Sequence, residues 1–421
     1  MILYKKGLLA QAMQVLGIEE LYPWQTPVFQ SIMNFDDVLY IAPTGQGKSV
    51  LFQLPAVMEA GEHLTIVISP MLALQYDQVR KLQRKGVAAC ALNSDLTPAA
   101  RREMLEALPH TMLLYLAPEQ LLRKDLREAL RHCDVTRVVV DEAHILVQTR
   151  DRFRPSYGKV GEFICALPNR PQIIACTATA TKRECQEIQQ ALGMHCCTCY
   201  RNSVYRDNLR LTVREVLRRD GMPAAVLDEL RDWNQKGLAL VFCQTVQNVQ
   251  QLTKYLNDHG WLACGYYAGM PKKEKNACVC DYAAGKYSVM VATSAFGLGV
   301  DIPNIRLVIH AGLPLGMSEY TQQIGRGGRN GKKTHCILLY APGDKESALR
   351  ILKGASGESV FFPRKYEVGA LVKAIQSPDC LWSSISKYYG ERAEISCGHC
   401  TQCQRKKYIC LLYTSPSPRD I

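Results

Sequence analysis

This sequence predicts an α/β protein built as two parallel-sheet lobes followed by a small helical, cysteine-bearing module. Three observations support that prediction. Short apolar runs alternate with polar, helix-like stretches through the first 200 residues, the same rhythm restarts after residue 201, and four cysteines cluster beyond a helical stretch near the end. Apolar runs separated by crossover-length segments suit parallel strands covered by helices on both faces.

In the first lobe, residues 1–200, the strand-like runs are "VLYIAP", "LTIVISP", "TMLLYLAP", "RVVVDEAH" and "QIIACTAT". Each ends in turn-forming or polar residues, at the strand ends where open α/β sheets collect ligands. The second lobe, residues 201–345, repeats the pattern in "LALVFCQT", "ACGYYAG", "VMVATSAFG", "IRLVIHAGLP" and "CILLYAP". From "GDKESALRIL" the pattern turns helical and then cysteine-rich, which sets residues 346–410 apart as the small module. Residues 411–421, rich in Ser and Pro, are expected to be disordered and read as a translated adapter tail on a truncated fragment.

Composition narrows the functional classes. Of 421 residues, 47% are hydrophobic and 21% charged, the profile of a globular chain. No run of eighteen apolar residues appears and the first residues lack a signal-peptide core, so a cytoplasmic protein without a membrane span is expected. A formal charge of +12 suits a polyanionic partner, and nucleic acid is the expected one. In a reducing compartment the eighteen cysteines read as thiols and metal ligands.

Three constellations point to chemistry. "APTGQGKS", residues 42–49, lies between a strand and a helix and resembles a phosphate-binding loop, with Ala42 at the first glycine position. Its glycines let backbone N–H groups turn toward phosphates, Lys48 neutralises them, and Ser49 suits a magnesium ligand. "VVVDEAH" puts Asp141 and Glu142 at a strand end, the first suited to a hard divalent ion and the second to activating water. "QQIGRGGRNG" fits Q-x-x-G-R-x-G-R, with Arg326 and Arg329 expected on one helical face, where planar guanidinium groups suit a transferring phosphate.

Taken together these motifs resemble superfamily 2 helicases, and more narrowly the RecQ family of DNA helicases, through Cys403. "LGIEELYPWQ" resembles the family's adenine-reading motif with Gln25 kept, "SPMLALQYDQV" motif Ia, "LYLAPEQLL" motif Ib and "CTATAT" motif III. "YRDNLR" resembles the inter-lobe signature, "LVFCQT" motif IV and "ATSAFGLGVDIPNIRLVIH" motif V. The resemblance implies RecA-like lobes that bind ATP and magnesium through Gln25, Thr44, Gly45, Gln46, Gly47, Lys48, Ser49, Asp141 and Asp301. It implies catalysis by Lys48, Asp141, Glu142, Arg326 and Arg329, with 3′-5′ movement on single-stranded and partly duplex DNA in repair or recombination. A monomer is expected, with a single-strand-binding protein as a further partner.

Two departures stand out. The family's aromatic-rich DNA-sensing loop is here "VQTRDRFRPSY": Phe153, Arg154, Pro155 and Tyr157 match, while Thr149 replaces tryptophan and Asp151 replaces histidine. In the adenine motif Ile18 and Tyr22 replace tyrosine and arginine. Phe153, Arg154 and Tyr157 are expected to bind DNA and couple it to hydrolysis.

Cys380, Cys397, Cys400 and Cys403 read C-x16-C-x2-C-x2-C, a spacing that closes a tetrahedron around zinc and matches the family's zinc module. "HCCTCY", residues 195–200, has the spacing of a strand instead. Two other readings stay open: an RNA-directed helicase, opposed by the zinc spacing and the "FRPSY" remnant, and a nucleic-acid-binding module with a vestigial ATPase, opposed by the intact Lys48, Asp141, Glu142, Arg326 and Arg329.

Overall fold

The computed structural model describes residues 6–43, 45–59, 63–148, 155–233, 237–297, 302–355, 358–392 and 395–406. The chain divides into two compact units, Met1–Asn202 and Ser203–Ile421.

The first unit is built on seven strands: β1 (Val38–Ile41), β2 (Leu64–Ile68), β3 (Ala89–Leu92), β4 (Leu113–Leu116), β5 (Val135–Val140), β6 (Gln172–Thr177) and β7 (Thr198–Arg201). They lie in the order β3-β4-β2-β5-β6-β1-β7, and every pairing is parallel. Alternate residues serve opposite faces. Leu39 and Ile41 of β1 join Val138 and Val140 of β5 in one core, while Val38 and Tyr40 join Val139 in the other. Both faces being covered, the strands read as continuous apolar runs. Helices Lys6–Leu16, Gln25–Met33 and Val50–Met58 cover one face, and Val160–Cys165 and Lys182–Leu192 the other. The last of these starts on a capping box, in which Thr181 Oγ1 accepts the Glu184 N–H and Glu184 accepts the Thr181 N–H, and it ends at Gly193 in the left-handed region.

The second unit has six strands: β8 (Leu209–Glu215), β9 (Leu238–Cys243), β10 (Ala263–Tyr266), β11 (Val289–Ala292), β12 (Ile305–Ala311) and β13 (Thr334–Tyr340). Their order is β10-β11-β9-β12-β13-β8, again parallel throughout. Helices Met222–Asp232 and Val246–Asp258 cover one face. The helices after β13, Asp344–Ala355, Glu358–Gln376 and Leu381–Tyr388, share a single core with the other face, in which Leu371, Trp382 and Cys400 lie with Leu209 and Met290.

Two strands lie outside the runs expected from sequence. β3 is four residues, "ACAL", without a β-branched side chain. β8, "LRLTVRE", alternates buried and exposed residues because it forms the sheet edge. The cysteine segment covers that edge. The Val213 N–H donates to Thr401 Oγ1 at 2.9 Å, Trp382 Nε1 donates to the Leu209 carbonyl at 3.2 Å, and Arg210 donates to Gln404 Oε1 at 3.2 Å. No helix among the described residues is long and apolar enough to cross a membrane.

Trp382 is fully buried and joins the terminal helices to β8 through its indole N–H. Trp382→Ala is expected to destabilise the second unit by about 3–5 kcal/mol. Hydrogen exchange under increasing urea should show the β8 amides losing protection first, and unchanged protection there would refute the coupling.

Candidate nucleotide site and cysteine centre

The loop after β1 turns over residues 42–49 into helix Val50–Met58. Gly45 and Gly47 take φ values of 85° and 71°, which glycine adopts without strain. At Gly47 glycine is also needed for space, since a Cβ there would sit 2.9 Å from Gln25 Nε2. That amide donates to the Gly47 carbonyl at 2.9 Å, and Gln25 Oε1 accepts the Tyr22 N–H at 2.8 Å. Gln25, 2% exposed, thus ties the preceding segment to the loop, and leaves the Tyr22 ring 55% exposed beside it. Lys48 Nζ donates to the Ala42 carbonyl at 2.8 Å, and the Tyr40 hydroxyl donates to the Lys48 carbonyl at 2.9 Å. The Asn202 amide donates to Gln46 Oε1. Ser49 occupies the N-cap position, yet its hydroxyl makes no capping bond. Thr44 lies outside the described residues.

Asp141 follows the end of β5, its N–H bonded to the Ile68 carbonyl at 2.9 Å. Its Oδ1 accepts the Glu142 N–H at 3.0 Å and the Cys176 thiol at 3.3 Å, while Ser69 Oγ donates to Oδ2 at 3.4 Å. Burial pushes the Asp141 carboxyl up to about 6; the Glu142 charge adds to this and Lys48 opposes it. Glu142 has a φ of 51°, the left-handed region that side chains other than glycine seldom occupy. His144 Nδ1 lies 3.3 Å from Glu142 Oε2 and 2.9 Å from Thr177 Oγ1, and Thr177 donates on to the Thr179 carbonyl at 3.1 Å. Burial holds the His144 imidazole below its ordinary pKa, against the pull of Glu142.

Tyr157 departs from expectation. Its side chain is fully buried among the β5 and β6 core residues, so it has no face to offer a base; its hydroxyl reaches the Asp141 carbonyl at 3.4 Å. Phe153 and Arg154, with Thr149 and Asp151, lie outside the described residues, as does Asp301.

A second correction concerns the arginines. Helix Met317–Ile324 ends before Arg326, so Arg326 and Arg329 stand in the turn that follows and share no helical face. Gly328, at φ +57°, breaks the helical path, and a Cβ there would lie 2.5 Å from Asn208 Nδ2. Arg206 fixes this turn by donating to the Gly325 carbonyl at 3.3 Å and the Gly328 carbonyl at 2.6 Å, and Asn208 adds a bond to Gly328 at 2.9 Å.

The four cysteines of the C-terminal segment converge. The Sγ atoms of Cys380, Cys397, Cys400 and Cys403 all lie within 4.8 Å of one another, with Cys400 to Cys380 at 3.8 Å and Cys397 to Cys403 at 4.0 Å. Cys400 is fully buried. Among the described residues this is the one group with metal-holding geometry, and the thiols of residues 196–199 form none.

Family models match both units, "DEAD/DEAH box helicase" over residues 22–188 and "Helicase conserved C-terminal domain" over residues 222–331. The chain is 34% identical over 342 residues to the probable ATP-dependent DNA helicase RecS of Bacillus subtilis, covering 81% of this chain and 68% of that protein. The ATP-dependent DNA helicase RecQ of Synechocystis is 34% identical over 329 residues, covering 76% of this chain and 67% of that one. The chain belongs to the RecQ family of helicases. The RecQ protein of Haemophilus influenzae is 30% identical over 97% of this chain, which spans 65% of its length, whereas the chain spans only 43% of the ATP-dependent DNA helicase Q5 of Rattus norvegicus. Among solved structures, Mss116p bound to single-stranded RNA and AMP-PNP superposes with a TM-score of 0.67 at 16% identity, over 99% of this chain and 94% of that one. The helicase MrfA bound to DNA gives 0.67 at 19%, over 85% and 53%. At these identities the likeness is one of fold.

In this RecQ-family chain the first unit brings Lys48, Asp141 and Glu142 into one electrostatic cluster with Gln25 and the glycines at its rim. Sequence reasoning passed over the groups that hold these residues, Tyr40, Ser69, His144 and Cys176, and over Arg206 and Asn208, which hold the arginine-bearing turn of the second unit. Arg206 and Asn208 sit in the "YRDNLR" signature, so a signal existed for those two.

The positive φ at Glu142 sets a stability test. Glu142→Gly should be more stable than Glu142→Ala by about 1 kcal/mol, since only alanine carries a Cβ into the left-handed region. Equal melting temperatures for the two variants would show that the backbone strain is absent in solution.

Proposed function

We propose that this chain is the core of an ATP-dependent DNA helicase that moves 3′ to 5′ on single-stranded DNA and opens partly duplex DNA in repair or recombination. The observation that supports it most is the pair of carboxylates Asp141 and Glu142 at the end of β5, set against Lys48 from the loop after β1. The residues suit the groups such an enzyme needs. Gly45 and Gly47 free the loop backbone to turn N–H groups toward phosphates, and the Ser49 hydroxyl, unspent on capping, together with Asp141 would hold magnesium. Bound there, the ion would neutralise charge on the phosphate oxygens.

The chain's own residues do the rest. Gln25 and the exposed Tyr22 ring bound the space beside Gly47 for the base. Lys48 balances phosphate charge, and Glu142, oriented through His144 and Thr177, takes the proton of the attacking water. Arg326 and Arg329 supply planar cations for charge developing on the transferred phosphate. Thr44, Gln46 and Asp301 complete the nucleotide contacts. Phe153 and Arg154 meet the DNA, and Tyr157 passes that contact to the Asp141 backbone from within the core. The four thiols fit structural zinc: a tetrahedron with Zn–S near about 2.3 Å has S–S edges of about 3.8 Å, close to the 3.8 and 4.0 Å found.

Phosphate release should rise when single-stranded DNA is added, and more than when RNA is added. Glu142→Gln should keep ATP binding yet lower turnover by about a hundredfold or more. Turnover near that of the unaltered protein would remove Glu142 from the base role. Elemental analysis should find one zinc per chain, and Cys400→Ser should lose it and destabilise the second unit. A zinc-free protein of unchanged stability would rule the centre out.

A further inference from the structure

Across the middle of the first sheet three polar groups stand in a row that neither motif spacing nor the proposed catalytic roles account for. β1 and β6 pair in register with Tyr40 opposite Cys176, and β6 and β5 pair with Ala175 opposite Val140, so the residues one step on, Cys176 and Asp141, adjoin. The Cys176 thiol donates to Asp141 Oδ1 at 3.3 Å, and Tyr40 stands beside Cys176 in register on the neighbouring strand. Tyr40 in turn donates to the Lys48 carbonyl at 2.9 Å. Both Tyr40 and Cys176 are fully buried. Cysteine fills an apolar core as a small hydrophobe does, beside Ile174 and Ala175, but its thiol adds a donor, here directed at the one carboxylate the metal would need.

We propose that Cys176 is a positioning residue for the nucleotide-bound divalent cation: its thiol fixes the rotation of the Asp141 carboxylate. The proposal rests on the functional reading above. With Oδ1 held by the Glu142 N–H and the Cys176 thiol, Oδ2 is the oxygen left to face a cation, restrained only by the longer Ser69 contact. Without the thiol the carboxylate loses one of two anchors on Oδ1 and rotates more freely, which weakens cation binding while leaving the loop intact.

The test compares Cys176→Ala, which removes the donor, with Cys176→Ser, which has nearly the volume of alanine and restores a donor. Mn2+ binding in the presence of ADP, read by electron paramagnetic resonance, and the Mg2+ concentration for half-maximal ATP hydrolysis are measured on the full chain. Cys176→Ala should weaken both by about three- to tenfold, Cys176→Ser should stay within about twofold, and ADP affinity in EDTA should be unchanged in each. Equal cation affinity in Cys176→Ala, or equal loss in the alanine and serine variants, would overturn the proposal, the second result assigning the effect to packing. Melting temperature identifies a variant that fails to fold; Cys176→Val and Cys176→Thr, a pair of like volume of which only threonine carries a donor, then supply the test, with weaker cation binding expected for valine and equal affinity in the two overturning the proposal. Should the unaltered protein bind no Mn2+ with ADP, the nucleotide reading itself fails, a result separate from any difference between variants.

Discussion

The in-register parallel pairing of β5, β6 and β1 is the constraint on which the first unit's site depends. One ladder sets the heights at which the chain leaves each strand, so the loop after Ile41, the carboxylates after Val140 and the threonines from Thr177 emerge side by side. Because side chains alternate with a period of two, a one-residue slip of β5 against β6 would turn Asp141 away from Cys176 and take His144 from Thr177. Arg137 resists that slip: buried opposite Gln172 of β6, it donates to that side chain and to Glu59, and a shift to the other face would strip its charge of both partners. A buried, paired charge in this way helps hold the chemistry in place.

That ladder also explains the local strain. Glu142 occupies a left-handed conformation, which costs on the order of 1 kcal/mol for a side-chain-bearing residue and persists only where neighbours hold it. Its N–H is held by Asp141 Oδ1, the Ala143 N–H is held by the Cys176 carbonyl, and His144 is wedged against Thr177. The turn that carries Arg326 and Arg329 uses the opposite device. There glycines relieve the strain, and side chains from "YRDNLR" bind the freed carbonyls.

The second unit shows how a small cysteine segment gains a core. Residues after β13 bury Trp382, Leu371 and Cys400 in the same cluster as the second sheet, and they cover the edge of β8 with side-chain and backbone hydrogen bonds. An edge strand left bare would offer unpaired N–H and C=O groups. A four-thiolate metal would tighten that cover, since its loss frees the segment that holds Thr401 and Gln404.

Much of this protein is local and therefore legible in its residues. Continuous apolar runs announce buried parallel strands, Gly47-Lys48-Ser49 announces a phosphate loop, and two C-x-x-C steps announce a metal centre, because each depends on neighbours a few positions away. The short β3 and the alternating β8 escaped because edge and near-edge strands lack that apolar signature. Helical spacing suggested a shared face for Arg326 and Arg329, yet Gly325, Gly327 and Gly328 end the helix first. Tyr157, expected from the DNA-sensing motif to bind DNA, is drawn into the core with its hydroxyl at the Asp141 carbonyl. Cys176 was one thiol among eighteen, because the carboxylate it meets lies 35 positions away. Sequence alone determined which chemical groups this chain owns and which segments carry them; tertiary structure decided which groups face one another, because only sheet register sets distances between residues so far apart along the chain.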